Sequence, residues 1–159
     1  MDIEVRKATP EDADAIIKIW WQLMLEHRKR DPWYFDLMPE LEAKADYKSY
    51  LVECMKKARQ AVLVACVDGE AGGFVHGMPL DRPPVYKDEM IGRVATLAVD
   101  TRFRRAGLGK KLLQGLESEF RKMGLTSMDL MVDYKNPEAQ ALYKSEGFYE
   151  REYHLVKRL

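Results

Sequence analysis

The densest chemical signal in the sequence is a run of basic residues interrupted by glycines, RFRRAGLGKK at positions 102–111. It holds five basic residues and no acidic one. Gly107 and Gly109 stand where a loop turns into a helix, and the unpaired backbone N–H groups at a helix start favour a phosphate. Glycine also lets a ligand approach the backbone closely. The segment therefore predicts a site for a compact anion.

Two common phosphate motifs do not fit this segment. A dinucleotide fingerprint requires a third glycine where Leu112 stands, and a P-loop requires Ser or Thr where Lys111 follows Gly109 and Lys110. Taken alone, the segment is equally compatible with a solvated loop before a helix.

A second signal begins 27 residues after Gly109, with Asn136-Pro137-Glu138-Ala139-Gln140-Ala141-Leu142-Tyr143 and then Gly147-Phe148. Asn136 is typical of a helix cap, Pro137 of a first helical residue, and Gly147 of a helix end. The simplest interpretation is a capped amphipathic helix with a core tyrosine. The alternative is that Tyr143 does chemistry, because a phenol with a pKa near ~10 is protonated at neutral pH and can donate that proton.

Together the two segments resemble the GCN5-related N-acetyltransferase (GNAT) superfamily. The resemblance rests on Leu97-Ala98-Val99 followed by Arg104-x-x-Gly107-x-Gly109, on the Asn-Pro-x-Ala-x-x-Leu-Tyr…Gly-Phe run, and on the element order of the whole chain. It implies that acetyl-coenzyme A is the co-substrate and lies in a wedge where the fourth and fifth strands part. It also implies a homodimer as a possible assembly.

The resemblance also implies a role for each matching residue. The backbone of Leu97, Ala98 and Val99 would pair with the pantetheine arm, and the turn from Arg104 to Lys110 would bind the pyrophosphate. Tyr143 would be the general acid for the departing thiolate, whose conjugate acid has a pKa near ~8.5. The implied coenzyme-binding residues are Leu97, Ala98, Val99, Arg104, Arg105, Ala106, Gly107, Leu108, Gly109, Lys110 and Asn136.

The sequence departs from the family pattern at the general base. Many members carry a glutamate on the fourth strand, but the segment from Arg93 to Val99 has no carboxylate. The base is therefore unassigned, and an amine that arrives neutral needs none. Carboxylates that could reach the acceptor side are Glu26, Asp31, Asp88, Glu89 and Asp133; the alternative, which we favour, is that each is surface charge.

The acceptor site implied by the resemblance lies between Trp20 and Tyr50, a region rich in aromatic rings. We expect Glu26, Asp31 and Trp33 to contact an amine, through carboxylate pairing and cation–π attraction. The alternative is that these rings only hold the two helices together.

The pattern of apolar residues predicts an α/β (α+β) fold with one domain over residues 1–159. We expect a mixed, mostly antiparallel twisted sheet of six to seven strands, flanked by about four helices, with strands 4 and 5 splayed. The predicted strands are 2–8, 61–67, 70–78, 94–99, 128–132 and one or two across 148–156. The predicted helices run from Pro10 to Asp31, 41–59, 107–123 and 137–146.

Composition limits the partners. The chain has 159 residues and a net charge of zero, from 26 basic and 26 acidic residues, which argues against nucleic acid and anionic membranes as partners. The longest apolar run, 61–67, is too short to cross a bilayer, and the N-terminus lacks the pattern of a secretory signal, so we expect a cytoplasmic protein. The three histidines show no ligand spacing, so we expect no metal.

Three functional hypotheses follow. The first is an N-acetyltransferase that acts on a small-molecule amine, a protein N-terminus or a lysine. The second is a non-catalytic acyl-CoA-binding regulatory module, which the missing carboxylate favours and Tyr143 opposes. The third is an RNA contact through residues 102–111, which would leave the glycines and the Asn-Pro helix unexplained.

Overall fold

Five strands form a single mixed sheet whose spatial order follows the sequence. The computed structural model describes residues 1–159, and β1 to β4 are antiparallel neighbours while β5 runs parallel to β4. The strands are β1 Ile3–Lys7, β2 Ala61–Val67, β3 Glu70–Asp81, β4 Met90–Val99 and β5 Met128–Leu130. The helices are α1 Ala13–Arg30, α2 Glu40–Met55, α3 Leu108–Lys122 and α4 Pro137–Ser145.

The prediction of six to seven strands is wrong, because the sheet has five. Residues 148–156 form no strand. A strand forms only where a neighbouring edge pairs its backbone, and β5 offers an edge of three residues. The C-terminal segment instead lies over the loop after α1, with the Arg158 guanidinium 5.2 Å from the Trp33 ring centre.

Helices cover both faces of the sheet and enclose two apolar clusters. On one face, α3 buries Leu112, Leu116 and Phe120 against the sheet. On the other face, α1 and α2 bury Ile16, Trp20 and Leu51. No helix in the structure is both long and apolar enough to cross a membrane.

Local sequence signals set the helix ends. Thr9 and Asp12 form a capping box before α1, and the Asn136 side chain accepts a hydrogen bond from the Ala139 N–H at 3.2 Å at the start of α4. Gly124 adopts a left-handed φ of 82° directly after α3, as the sequence predicts. α2 ends at Met55, four residues before the predicted end, and β4 begins at Met90, four residues before the predicted start.

A β-bulge interrupts β4 in its middle. Gly77 of β3 is paired with Val94 and His76 with Thr96, so Ala95 is an extra residue without a partner on β3. The bulge changes the face to which alternate residues point: Val94 packs in the α3 cluster, whereas Ala98 packs under α1 and α2. Pairing with β5 ends at the same position, because Val94 and Leu130 are the last pair.

The glycine at position 92 allows the α3 cluster to close on β4. A Cβ added at Gly92 would lie 2.5 Å from Cδ2 of Phe120. We expect Gly92→Ala to lower the free energy of unfolding by about 1–3 kcal/mol, because the ring must be displaced in a packed core. Urea denaturation measures this loss.

A double variant isolates the clash. With Phe120→Leu the ring is absent, so adding Gly92→Ala to that background should cost clearly less than it does in the wild type. Fully additive costs would contradict the proposed contact.

Candidate functional site

The second half of β4 has an open edge. Residues 96–99 pair with β3 on one side, and β5 has already ended on the other. The separation of β4 from β5 is the one that the sequence predicts between strands 4 and 5. On the side that faces away from β3, the backbone polar groups of Leu97 to Val99 therefore have no strand partner. An unpaired edge can accept an extended ligand through backbone hydrogen bonds.

The turn after β4 presents backbone N–H groups to solvent. Arg105 and Gly107 both have left-handed φ values, 62° and 82°. The first helical bond of α3 runs from the Lys111 N–H to the Gly107 carbonyl at 3.1 Å, and no side chain caps this end. The N–H groups of Leu108, Gly109 and Lys110 therefore have no helical acceptor. Such a turn is a binding place for an anion.

Most of the basic side chains in this segment are already paired. Only Arg105 and Lys111 lack a carboxylate within 4.0 Å, so the local positive charge is smaller than the sequence indicates and the backbone supplies much of the attraction for an anion. The ion pairs are Arg102 with Asp100 and Glu70 at 2.9 and 2.8 Å, Arg104 with Glu26 at 2.6 Å, and Lys110 with Glu146 at 3.4 Å.

Gly109 is the point where β4, α3 and α4 meet. A Cβ at this position would lie 3.0 Å from the Leu142 side chain and 3.9 Å from that of Val99. The contact packs Leu142 of α4 against the first turn of α3, and Tyr143 is the next residue along α4.

Tyr143 packs against the α3 cluster, with its ring centre 5.8 Å from that of Phe148. Its hydroxyl makes no hydrogen bond within the protein. Burial raises the pKa of Tyr143 to about 12, because the anionic phenolate would lose its hydration. The hydroxyl is therefore protonated at neutral pH and free to donate. Asn136 uses its side-chain oxygen to cap α4, and its role toward a coenzyme stays a prediction.

The three predicted acceptor residues lie near the end of α1, and each has a partner within the protein. Glu26 binds Arg104, which also approaches the Val99 carbonyl at 3.4 Å. Asp31 accepts the Tyr34 N–H at 3.1 Å and shapes the loop after α1. Trp33 lies beneath Arg158. Their role toward an acceptor stays a prediction.

The other candidate bases divide by position. Asp88 and Glu89 precede the first residue of β4, at the end of the strand away from the open edge. Asp133 follows β5 and lies near the end of α1. Two residues further on, the Lys135 ammonium donates to the Arg30 carbonyl of α1 at 3.3 Å.

Sequence reasoning missed a set of polar side chains beneath α2. The Tyr47 hydroxyl lies 3.3 Å from Oγ1 of Thr96, the residue after the bulge, and its ring stacks on Trp20 at 4.0 Å. His76, paired with Thr96 across the strands, lies 2.8 Å through Nε2 from Oε1 of Gln60. These residues support the face of β4 opposite α3. Only knowledge of the strand register could have brought them together.

Comparison with known proteins identifies the class. The fold is shared with a GCN5-related N-acetyltransferase from Ralstonia eutropha, with a TM-score of 0.75 and 19% identity over 99% of both chains. Residues 16–148 match the Acetyltransferase (GNAT) family. The chain therefore belongs to this family and is an N-acetyltransferase, and enzymes of this family use acetyl-CoA.

Several relatives are similar along most of their length. An N-alpha-acetyltransferase of Sulfurisphaera tokodaii is 30% identical over 94% of this chain and 81% of its own. An uncharacterized N-acetyltransferase of Archaeoglobus fulgidus is 24% identical over 91% of both chains. Among solved structures, a mutant of the BH1408 protein from Bacillus halodurans has a TM-score of 0.84 and 21% identity, covering 98% of this chain and 99% of its own.

The buried histidine beneath α2 predicts a pH dependence of stability. Burial lowers the pKa of His76 from its usual 6.5 to about 4, with Lys57 adding to the effect. The unfolded chain thus binds a proton more readily than the native one between these values. The contribution of neutral His76 to the free energy of unfolding is fully present above pH 6.5. It decreases as the pH falls toward 4, by an amount on the order of 3 kcal/mol.

The comparison of two histidine variants tests this. Urea denaturation of wild type, His76→Gln and the exposed control His154→Gln should be measured at several pH values between about 4 and 7. The difference in unfolding free energy between wild type and His76→Gln should shrink as the pH falls. A difference that is constant across this range would exclude a neutral buried His76.

Proposed function

We propose that the protein transfers the acetyl group of acetyl-CoA to a primary amine by direct attack, and that this amine is the α-amino group of a polypeptide. The observation that carries the proposal is the open edge of β4 leading into the turn at Arg105 and Gly107. Support for an α-amine acceptor comes from the Sulfurisphaera tokodaii N-alpha-acetyltransferase, which matches 94% of the chain.

The coenzyme would be held mainly by backbone. The free N–H groups from Leu108 to Lys110 suit a pyrophosphate, and Arg105 adds an unpaired positive charge beside them. The edge from Leu97 to Val99 suits the two amides of a pantetheine arm, since an extended amide chain can replace the missing strand. Acetyl-CoA supplies an activated acyl group as a thioester.

The chemical step needs few side chains. The neutral amine attacks the thioester carbonyl, a C–N bond forms, the C–S bond breaks, and the electron pair leaves on sulfur. Backbone N–H groups of the β4 edge would stabilise the developing oxyanion. Tyr143 would donate its proton to the thiolate and regain one from water, and the ammonium proton would leave to water, because β4 carries no carboxylate between Arg93 and Val99.

The tyrosine has a specific expected effect. Tyr143→Phe removes the proton donor and keeps the ring, so we expect kcat to fall by about 100-fold, the lower end of the usual contribution of acid–base catalysis. Thiol release with acetyl-CoA and a peptide acceptor measures the rate. Tyr149→Phe, at an exposed tyrosine after α4, is the control. Unchanged turnover in Tyr143→Phe would remove this residue from the mechanism.

Two matched glycine variants test the turn. Gly107 and Gly69 have almost the same left-handed φ, 82° and 85°, with open space around both, so an added Cβ should cost each about 1–2 kcal/mol. Gly69 lies in the β2–β3 turn. Coenzyme A at ~100 times its Kd should stabilise wild type and Gly69→Ala by ~2.7 kcal/mol.

Gly107→Ala should show a clearly smaller stabilisation by coenzyme A in the same thermal denaturation experiment, because the strained turn no longer aligns its N–H groups. ATP serves as a control for general phosphate binding. If neither coenzyme A nor acetyl-CoA raises the Tm of the wild type, the proposed function fails.

A further inference from the structure

A cavity of about 320 Å³ opens on the sheet at the point where β4 and β5 part. Its floor is made by β3 and by β4 up to the bulged residue Ala95, and one wall is Met131, the residue after the last pair of β5. The lining residues are Met78, Leu80, Arg93, Val94, Ala95 and Met131. None of the six belongs to the proposed coenzyme site.

The cavity lies on the face of the sheet opposite α3. On β3, the alternate positions Val75 and Gly77 face the α3 cluster, so Met78 points to the other side. On β4, Gly92 contacts Phe120 of α3, and its neighbour Arg93 therefore also points away. The turn that would bind the pyrophosphate is the start of α3. A second substrate in the cavity would thus approach the open edge from the opposite face.

The chemistry of the lining is apolar and electrically neutral. Arg93 is the single charged residue, and its guanidinium forms two hydrogen bonds with the Asp129 carboxylate, Nε to Oδ1 at 2.5 Å and Nη2 to Oδ2 at 3.0 Å. No carboxylate is left unpaired to bind a polycation. Two of the six lining residues are methionines, whose flexible side chains adapt to apolar groups of different shape.

We propose that this cavity binds the side chain of the first residue of a polypeptide acceptor and selects a large apolar residue such as methionine or leucine. This inference rests on the proposed function, since it names the acceptor of that same reaction. The cavity borders Ala95, the bulged residue where the open edge begins, so a side chain seated there places its own α-amine at the start of that edge.

Size and charge favour this occupant. A volume of about 320 Å³ is at the low end of the range of ligand pockets, ~300–1,000 Å³. It suits one large side chain with its adjoining backbone. Acceptors that carry several ammonium groups would find no free carboxylate, and a polar first residue would find one charged group in the lining, Arg93, which is already paired with Asp129.

The test is a set of peptides identical except for the first residue, Met, Leu, Ser or Asp, without lysine. Thiol release with acetyl-CoA gives kcat/KM for each peptide. We expect Met and Leu peptides to exceed Ser and Asp peptides by at least about tenfold, the scale of discrimination by an apolar pocket. Equal values, or a preference for Ser or Asp, would overturn the inference and leave the proposed function standing.

Variants at Met131 connect the preference to the cavity. The side chain is 69% exposed, so its replacement should leave the fold intact, which circular dichroism and the Tm verify. Met131→Glu places an unpaired carboxylate in the wall and should lower kcat/KM for the Met peptide about tenfold, with little change for the Ser peptide. Met131→Ala should reduce the Met preference by a smaller factor.

The control is Val85→Ala, at an exposed apolar residue of the β3–β4 loop outside the cavity, which should keep the wild-type preference. A Met131→Glu variant with unchanged peptide preference would show that the cavity does not hold the first residue. If no peptide reacts, the inference is wrong, and the response of the Tm to coenzyme A then decides separately whether the proposed coenzyme site stands.

Discussion

β4 can be paired on both sides only as far as Val94, and the rest of the site depends on this limit. The bulge at Ala95 bends the strand and changes the face to which its side chains point, while β5 stops at Leu130. Backbone groups that would complete a sheet are therefore left for a ligand. The open edge begins at this interruption and the cavity borders it, so a fully paired β4 would close that edge to a ligand.

At the turn before α3, backbone N–H groups are left to bind an anion to a greater extent than basic side chains are. The basic segment suggests binding by positive side chains, yet Arg102, Arg104 and Lys110 are held by carboxylates. Their pairing shapes the turn and connects it to α1 through Glu26. Free N–H groups, which carry no net charge, remain to position an anion. Such groups are preorganised by the helix and need no reorientation when a ligand arrives.

The sequence was most informative where a local rule determines structure. Asn136 and Gly124 predict their helix ends correctly, because caps depend on a few neighbouring residues, whereas Thr9 caps a 3-10 turn, Pro10–Asp12, and α1 begins only at Ala13. The motifs around Gly107 and Tyr143 indicated the right family, which the match over residues 16–148 confirms. The prediction of closing strands across 148–156 was wrong, since a strand depends on a distant edge that the residues of the segment itself do not reveal. The bulge at Ala95 and the cavity beside it depend on register between strands, so no local pattern could predict them.

The two apolar clusters are separated by the sheet, and this arrangement affects how such a protein can change over evolutionary time. Side chains packed against α3 support the turn, whereas those under α1 and α2, together with Met78 and Leu80, support the opposite face. Substitutions far apart in a structure usually act independently on stability. A lineage can therefore vary one face of the sheet while the side chains packed between the sheet and α3 stay the same. Under the proposed function, in which the turn before α3 holds the coenzyme, descendants of one ancestor can in this way differ in the amine that they modify and still share acetyl-CoA as the donor.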